Sequence, residues 1–484
     1  MNPRIISRSE HTVSRKWISH NAVRVLYKLK ERGYHAYLVG GGVRDLLLGR
    51  EPKDFDIATD ARPNEIKRIF RNCRLIGRRF RLAHIHFHDE IIEVATFRSN
   101  IIEDLEVKVK VEAAAQAEVK VEAGRSAVAA VPPERPRPPR MLKTEDGMIL
   151  RDNVFGTPEE DAIRRDFTVN ALFYNIADFS VIDYVGGMAD LRQGLIRLIG
   201  DPATRFTEDP VRMVRAVRFA AILGFEIEES TYRALLELRD KVALASPARM
   251  YEEVLKLFLL GEGEKTYQLL RKTGLFGVIF PRLNEWVDTE VDGFPHTWIG
   301  KALEWVDACV QAGRKVEPHI LFGLMFGQYI EEKAAEYRTG GAAALDAVTR
   351  AVAEALSDQA RIVQIPKKVG LPMRDMYWNQ QRFEKREGKY PRYFLRRPGF
   401  ADAFEYLRFS SETTGERTGF CAWWKEFIRA HPLGSAEEKE IQKSAERKAR
   451  PKRRRRRGGK GRQEGAKAGK EAAELKPRTP NSKL

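Results

Sequence analysis

The stretch VGGGVRDLLLGREPKDFDIAT, Val39 to Thr59, decides how the chain is read. Its first half joins a β-rich run, HAYLVGG, to a helix whose apolar spacing begins near Val43. Gly40, Gly41 and Gly42 allow the backbone to approach a ligand closely, and the free N–H groups of a helix start attract anions. Arg44, in the first turn, is a candidate phosphate contact. A triple glycine also serves as a plain strand-to-helix turn. Neither GxGxxG nor a phosphate loop ending in GK[ST] is present.

The second half carries Asp54-Phe55-Asp56. On a strand, residues i and i+2 share a face, so both carboxylates would point to one side with Phe55 packed behind. Two carboxylates so placed repel unless a cation neutralises them, and oxygen-seeking divalent ions, Mg2+ above all, suit the pair. A two-metal site activates an attacking hydroxyl and steadies a leaving phosphate. DxD alone is also a common solvated turn; the glycine element upstream weights the metal reading.

Outward from this stretch, residues 22–100 alternate helix and strand. Ala22–Gly33 is an amphipathic helix closed by glycine, and NEIKRIF, with Pro63 near its start, is another. FDIAT, HIHFH and IIEVATF read as strands. His84, His86 and His88 would share one strand face, yet no fourth metal ligand is indicated, and Ile85 and Phe87 explain the run as a half-buried strand. Residues 103–140, rich in Val, Ala, Glu, Lys and Pro with EVKV at Glu106 and again at Glu118, read as a flexible insert. VKVKVE within it is a candidate charged hairpin. A helix from Pro158 to about Arg165 and a hairpin around Ala177–Phe179 follow. From about Glu208 to Pro432 the spacing is almost entirely helical, with DPVRMVRAVRFAAILGF, residues 209–225, as one helix and MRDMYWNQQRFEKREG, residues 373–388, as another.

Charge narrows the function classes. The 484 residues hold 85 Lys and Arg against 68 Asp and Glu, a net of +17. Lys443–Leu484 alone carries 17 basic and 4 acidic side chains, so the body is nearly neutral. That tail is expected to be disordered unless bound, and its charge calls for a polyanion, nucleic acid ahead of membrane. At 43% hydrophobic, the body can bury cores. The apolar runs are too short for a membrane span, the N-terminal residues have no apolar signal region, and Cys73, Cys309 and Cys421 form no CxxC pair or disulfide framework. A cytoplasmic protein is therefore expected.

The glycine–DFD element is followed, in order, by EVATFR (Glu93–Arg98), RRDFTVNAL (Arg164–Leu172), DYVGGMADL (Asp183–Leu191) and RFTEDPVRMVRAVRFAAILGF (Arg205–Phe225). Together these motifs resemble the nucleotidyltransferase head of the bacterial poly(A) polymerase and tRNA CCA-adding superfamily. The resemblance implies an α/β nucleotidyltransferase head, a small mixed sheet with helices, then an all-helical body and a disordered basic tail. It implies that Asp54 and Asp56 hold two Mg2+ ions, with Mn2+ as a substitute. For a third carboxylate it favours Asp166 over Glu93, which stays a close neighbour; a salt bridge from Asp166 to Arg164 or Arg165 is the bland alternative. Gly41, Gly42, Arg44 and Arg165 would contact the nucleotide. Asp209 and Arg212, spaced i, i+3 on one helical face, would read the Watson–Crick edge of the base, the carboxylate accepting from an exocyclic amine and the guanidinium donating to a ring nitrogen. Arg215 and Arg218 continue that face, toward phosphate or RNA or simply toward solvent.

RNCRLIGRRFRLAHIHF (Arg71–Phe87), IPKKVGLPMRDMYWNQQRFEKREGK (Ile365–Lys389) and FLRRPGFADAFEYLRF (Phe394–Phe409), with Trp423-Trp424 beyond, resemble bacterial poly(A) polymerases rather than the tRNA enzymes. Tyr377, Trp378, Phe383, Tyr393 and Phe394 lie among basic residues and are candidates for base stacking, though more of them read as core. The expectation is template-independent transfer of AMP from ATP to broadly chosen RNA 3′ ends. A CCA- or A-adding tRNA nucleotidyltransferase and an inactive RNA-binding adaptor are the alternatives. RNA-decay proteins are compatible partners that the sequence does not specify. The domains expected are an extension at 1–21, the head at 22–200, a helical neck and body at 201–285, a helical RNA-binding domain at 286–433 and the tail at 434–484.

Overall fold

The computed structural model describes residues 3–77, 81–99, 142–143, 149–151, 155–291 and 294–432. The insert at 103–140 with its hairpin, and the tail from 434, lie outside the described residues.

Eight strands make one mixed sheet: Arg4–Ile6, Ala36–Val39, Asp56–Thr59, Cys73–Ile76, Leu82–His86, Ile91–Thr96, Leu172–Asn175 and Val181–Asp183. Numbered in that chain order, they lie side by side as 1-8-7-2-3-6-5-4. Every neighbouring pair is antiparallel except Asp56–Thr59 with Ile91–Thr96. A parallel pair needs a crossover, which the helix Pro63–Ile69 and two intervening strands provide. Arg4–Ile6 pairs with Val181–Asp183, so part of the expected N-terminal extension belongs to the sheet.

Alternation places the core. Ala83, Ile85, Ile92 and Val94 are fully buried on one face of the sheet, under the helix His20–Glu31, whose Ala22, Val25, Leu26 and Leu29 form its apolar stripe. Ala58, Val39 and Phe173 point into a smaller cluster on the other face. The strand Asp56–Thr59 is thus covered on both sides, which holds its first residue rigidly at the sheet's end. Beyond Pro202 the chain is helical, and one continuous core runs from the sheet through Val211–Leu223 to the helices Pro247–Phe258 and Pro318–Met325.

Two helices expected to be continuous are broken. Residues 209–225 divide at Pro210: one helix ends at Glu208, Asp209 is extended (φ −150°, ψ 90°), and the next helix begins at Val211. Proline restricts the residue before it away from helical geometry. The helix expected over 373–388 stops at Trp378 and passes into a short 3-10 turn, Gln380–Glu384. Leu195–Ile196 pairs in parallel with Glu226–Ile227, outside the main sheet. Pro318–Met325 had no amphipathic signal because Ile320 to Met325 are all buried. Of the candidate stacking aromatics, Tyr377, Phe383 and Phe394 are core, Tyr393 is exposed, and Trp378 is half-buried beneath the Arg374 guanidinium at 4.1 Å. Trp424 is also buried, its indole N–H donating to the Phe383 carbonyl at 2.9 Å.

Candidate active site

The sheet register gathers the first-named residues. Val39 lies opposite Asp56, and Asp56 lies opposite Glu93 on the parallel strand. Gly40, just past Val39, has φ +73°, a conformation open to glycine, and starts the helix Gly41–Leu47. A Cβ at Gly40 would lie 3.6 Å from Asp56 Oδ2 and 3.5 Å from Arg165 Nη1; one at Gly42 would lie 3.2 Å from the Asp54 carbonyl. The glycines therefore let the turn close onto the acidic segment, which is more than a generic strand-to-helix turn requires.

Asp54 and Asp56 do not both sit on the strand. The strand begins at Asp56, while Asp54 is exposed in the loop before it and Phe55 packs against the main core. Their closeness comes from chain adjacency, not from a shared pleat. Burial pushes the Asp56 carboxyl up to about 6, Glu93 and Asp54 add to the rise, and Arg165 opposes it. A half-buried carboxylate crowded by two others is short of positive charge, which is the electrostatic condition for a divalent cation. Among the described residues no three side chains converge as a complete ligand cage. Mg2+ is ordinarily held by one or two carboxylates together with substrate phosphates, so the donor set fits it.

The carboxylate beside Asp56 is Glu93. Asp166, favoured from the motif, is taken up by another partner. Arg215 donates to Asp166 Oδ2 through Nε at 2.8 Å and through Nη2, Phe167 N–H donates to Oδ1 at 2.8 Å, and Asn170 adds 3.3 Å. Burial alone would raise the Asp166 carboxyl, but Arg215 and these donors hold it well below the usual range. Its salt bridge is to Arg215, not to Arg164 or Arg165. Arg215 is accordingly half-buried, its guanidinium turned to Asp166 with Glu253 3.8 Å away, and the buried Arg218 lies 3.6 Å from Glu253.

Asn170 connects this network to the glycine turn. Its Oδ1 accepts from Arg44 Nη1 at 2.7 Å, and Arg44 also grips Asp45 at 2.7 Å. Arg44 is thus buried and braces the turn from within. Arg165 pairs with Asp161 at 2.9 Å, lies 5.2 Å over the Phe173 ring, and faces Asp56. The DYVGGMADL motif is structural: Asp183 accepts from the N–H groups of Val185, Gly186, Gly187 and Met188 at 2.9–3.1 Å.

Asp209 and Arg212 do not share one helical face, because Pro210 separates their helices. Arg249 donates to both oxygens of Asp209, and Arg212 Nη1 donates to the Arg205 carbonyl at 2.8 Å. Asn170, Glu253 and Arg249 escaped the sequence reading. Asn170 sits inside a motif already singled out, whereas Arg249 and Glu253 carry no local signal. His84 Nε2 lies 3.0 Å from Glu93 Oε1, and His88 falls past the strand end, so the three histidines do not form a common strand face.

The chain is similar to known proteins over most of its length. Residues 36–197 match the poly A polymerase head domain, 224–287 a probable RNA and SrmB-binding site of polymerase A, and 340–460 the polymerase A arginine-rich C-terminus. Poly(A) polymerase I of Salmonella typhimurium is 43% identical over 431 residues, 88% of this chain and 86% of that protein. A CCA-adding enzyme of Lactobacillus gasseri is 35% identical over 254 residues, 52% of this chain and 54% of its own length. The Thermotoga maritima CCA-adding enzyme complexed with tRNA shares the fold at a TM-score of 0.53 and 18% identity, over 92% of this chain and 90% of that one. No helix among the described residues is long and apolar enough to cross a membrane. The head's carboxylate geometry, the three matched domains and the near full-length likeness converge: the chain belongs to the poly(A) polymerase family of nucleotidyltransferases.

Proposed function

We propose that the chain is a template-independent polynucleotide adenylyltransferase that moves AMP from ATP to RNA 3′ ends and releases pyrophosphate. The observation that carries this reading is Asp56, half-buried at the start of a strand covered on both faces, beside Glu93 in register and close to Asp54, directly under the glycine turn. Asp54 and Asp56 would hold Mg2+, with Glu93 as the third carboxylate. Bound divalent ions supply charge neutralisation at the phosphates and acidify the RNA hydroxyl. Asp166 acts as a positioning residue through Arg215 and Asn170. Gly41 and Gly42 admit the triphosphate, and Arg165 faces it beside Asp56. Arg212, whose contact to the Arg205 carbonyl uses Nη1, reads the base from the other side of its guanidinium, while Arg249 holds Asp209 in place. Positioning and electrostatics supply most of the rate. A cytoplasmic setting fits three free, widely separated cysteines.

The CCA-adding alternative is disfavoured because that relative accounts for only about half of the chain, 52%. The test is incorporation of labelled ATP and CTP by wild type and Asp56→Asn, on oligo(A) and on a tRNA lacking CCA. ATP incorporation on both RNAs, lost in Asp56→Asn, is expected. Efficient CTP incorporation restricted to the tRNA would overturn the reading.

A further inference from the structure

One row of residues crosses five strands of the main sheet. Arg74 lies opposite His84, His84 opposite Glu93, Glu93 opposite Asp56 and Asp56 opposite Val39. Directly opposed residues send their side chains to the same face, with Cβ atoms about 4.5–5.5 Å apart. Val39 belongs to the apolar cluster on this face, so the row turns from apolar to polar at Asp56. Glu93 thus stands between two polar neighbours, Asp56 on the parallel strand and His84 on the antiparallel one.

The Glu93 side chain is flexible and 46% exposed, and the negative charge of Asp56 beside it is repulsive. A carboxylate left to itself there would swing toward water. His84 is set deeper, with its side chain only 17% exposed, and so makes the firmer anchor. Its Nε2 is buried, lies 3.0 Å from Glu93 Oε1 and has no other partner among the described residues. At that distance from a carboxylate oxygen Nε2 must carry its proton, which a neutral imidazole supplies as well as a charged one. The two atoms are close without the alignment of a finished hydrogen bond, and catalytic contacts often tighten only when substrate binds. With Oε1 taken up by His84, Oε2 is the oxygen left for a cation shared with Asp56.

We infer that His84 is a positioning residue for AMP transfer: it holds Glu93 by Oε1 and so keeps the carboxylate in the row beside Asp56, a role that rests on Glu93 being the third carboxylate. Groups that hydrogen-bond a metal-binding carboxylate from outside fix its orientation, and losing one typically costs roughly 10–100-fold in metal affinity or activity. His86, two residues along the same strand face, lies opposite Ile91 and serves as the control.

The test is a double-mutant cycle on the full chain with wild type, His84→Ala, Glu93→Gln and the two combined, and with His84→Gln and His86→Ala beside it. Two quantities are read: affinity for Mn2+ alone, without nucleotide, from the EPR signal of the free ion, and single-turnover AMP addition at saturating ATP, Mg2+ and oligo(A). His84→Ala should weaken the first and slow the second by roughly 10–100-fold. His84→Gln, whose amide N–H can stand in for Nε2–H, should recover most of both, and His86→Ala should match wild type. In the Glu93→Gln background the further loss from His84→Ala should shrink to less than about threefold, since both residues act through one contact. A merely structural histidine would cost the same in either background, and that result overturns the role. So does a His84→Ala variant with wild-type affinity and rate, or an equal loss in His86→Ala. If Glu93→Gln itself binds Mn2+ and adds AMP like wild type, the fault lies instead with Glu93 as the third carboxylate.

Discussion

Arg249 grips Asp209 with two parallel hydrogen bonds, Nη1 to Oδ1 at 2.7 Å and Nη2 to Oδ2 at 2.8 Å. The arginine comes from the helix Pro247–Phe258 and the aspartate from the hinge between Glu208 and Pro210. The helix Pro247–Phe258 therefore fixes the segment that carries Asp209, one of the two residues proposed to read the base.

Loss of that grip should loosen base selection. Arg249→Ala is expected to raise KM for ATP roughly tenfold, the worth of a charge-assisted pair discounted for partial exposure. CTP should be less affected, so the ratio of kcat/KM values narrows. Lysine restores only part, since it cannot make the two-point contact. Steady-state kinetics with both nucleotides check this, and an unchanged ratio in Arg249→Ala counts against it.

Asp56 should make the folded protein less stable as pH rises. Its folded value of about 6 lies above the ordinary 3.8, so the folded state holds the proton more tightly and stability falls between those values. Asp56→Asn should therefore melt higher than wild type at pH 8, by the equivalent of about 1–3 kcal/mol. Mg2+ should narrow the gap by stabilising only wild type. Thermal melts at pH 5 and pH 8, with and without MgCl2, measure both effects; a lower melting temperature for Asp56→Asn at pH 8 without metal would contradict the electrostatic account.

Asp166 and Glu93 should separate stability from chemistry. Asp166→Ala takes from half-buried Arg215 its nearest partner, leaving Glu253 at 3.8 Å, and should cost about 1–3 kcal/mol in urea unfolding, partly recovered by Arg215→Met in the same chain. Because the Asp166 carboxyl is held low, its contribution is present above the usual carboxylate range and fades only in strong acid. Glu93→Gln should unfold like wild type yet lose at least about a hundredfold in AMP addition, the scale of a single electrostatic contact in a transition state. The reverse pattern would return the catalytic role to Asp166.

Two glycines should fail differently. At Gly187 a Cβ would sit 2.2 Å from the Thr168 carbonyl, so Gly187→Ala should lower the melting temperature sharply. At Gly40 a Cβ would meet only side-chain atoms at ordinary contact, Arg165 Nη1 at 3.5 Å and Asp56 Oδ2 at 3.6 Å, but φ is +73°, and Gly40→Ala should cost only about 1–2 kcal/mol while moving the turn off Asp56 and lowering kcat. Melts and single-turnover rates on both variants test the distinction.

Much of the head was legible in the sequence because its signals are local. The glycine turn follows from backbone freedom at consecutive residues, the strands from two-residue alternation, and Asp54 and Asp56 from their adjacency. Pro210 is equally local, and by holding Asp209 extended it divides one helical pattern into two helices. Pro318–Met325 left no periodic trace, since a helix buried all round has no polar face to mark it.

What the sequence by itself determined was which groups are charged, where the chain bends and which faces are apolar, since each depends on neighbours within a few residues. Only the tertiary structure decided how the charges pair. Register on a parallel strand, 37 residues along the chain, put Glu93 beside Asp56. Packing of the helix Val211–Leu223 against the head gave Asp166 to Arg215, and the helix Pro247–Phe258 gave Asp209 to Arg249. The physical reason is that a buried charge must be matched, and the match is made by whichever opposite charge folding brings within reach.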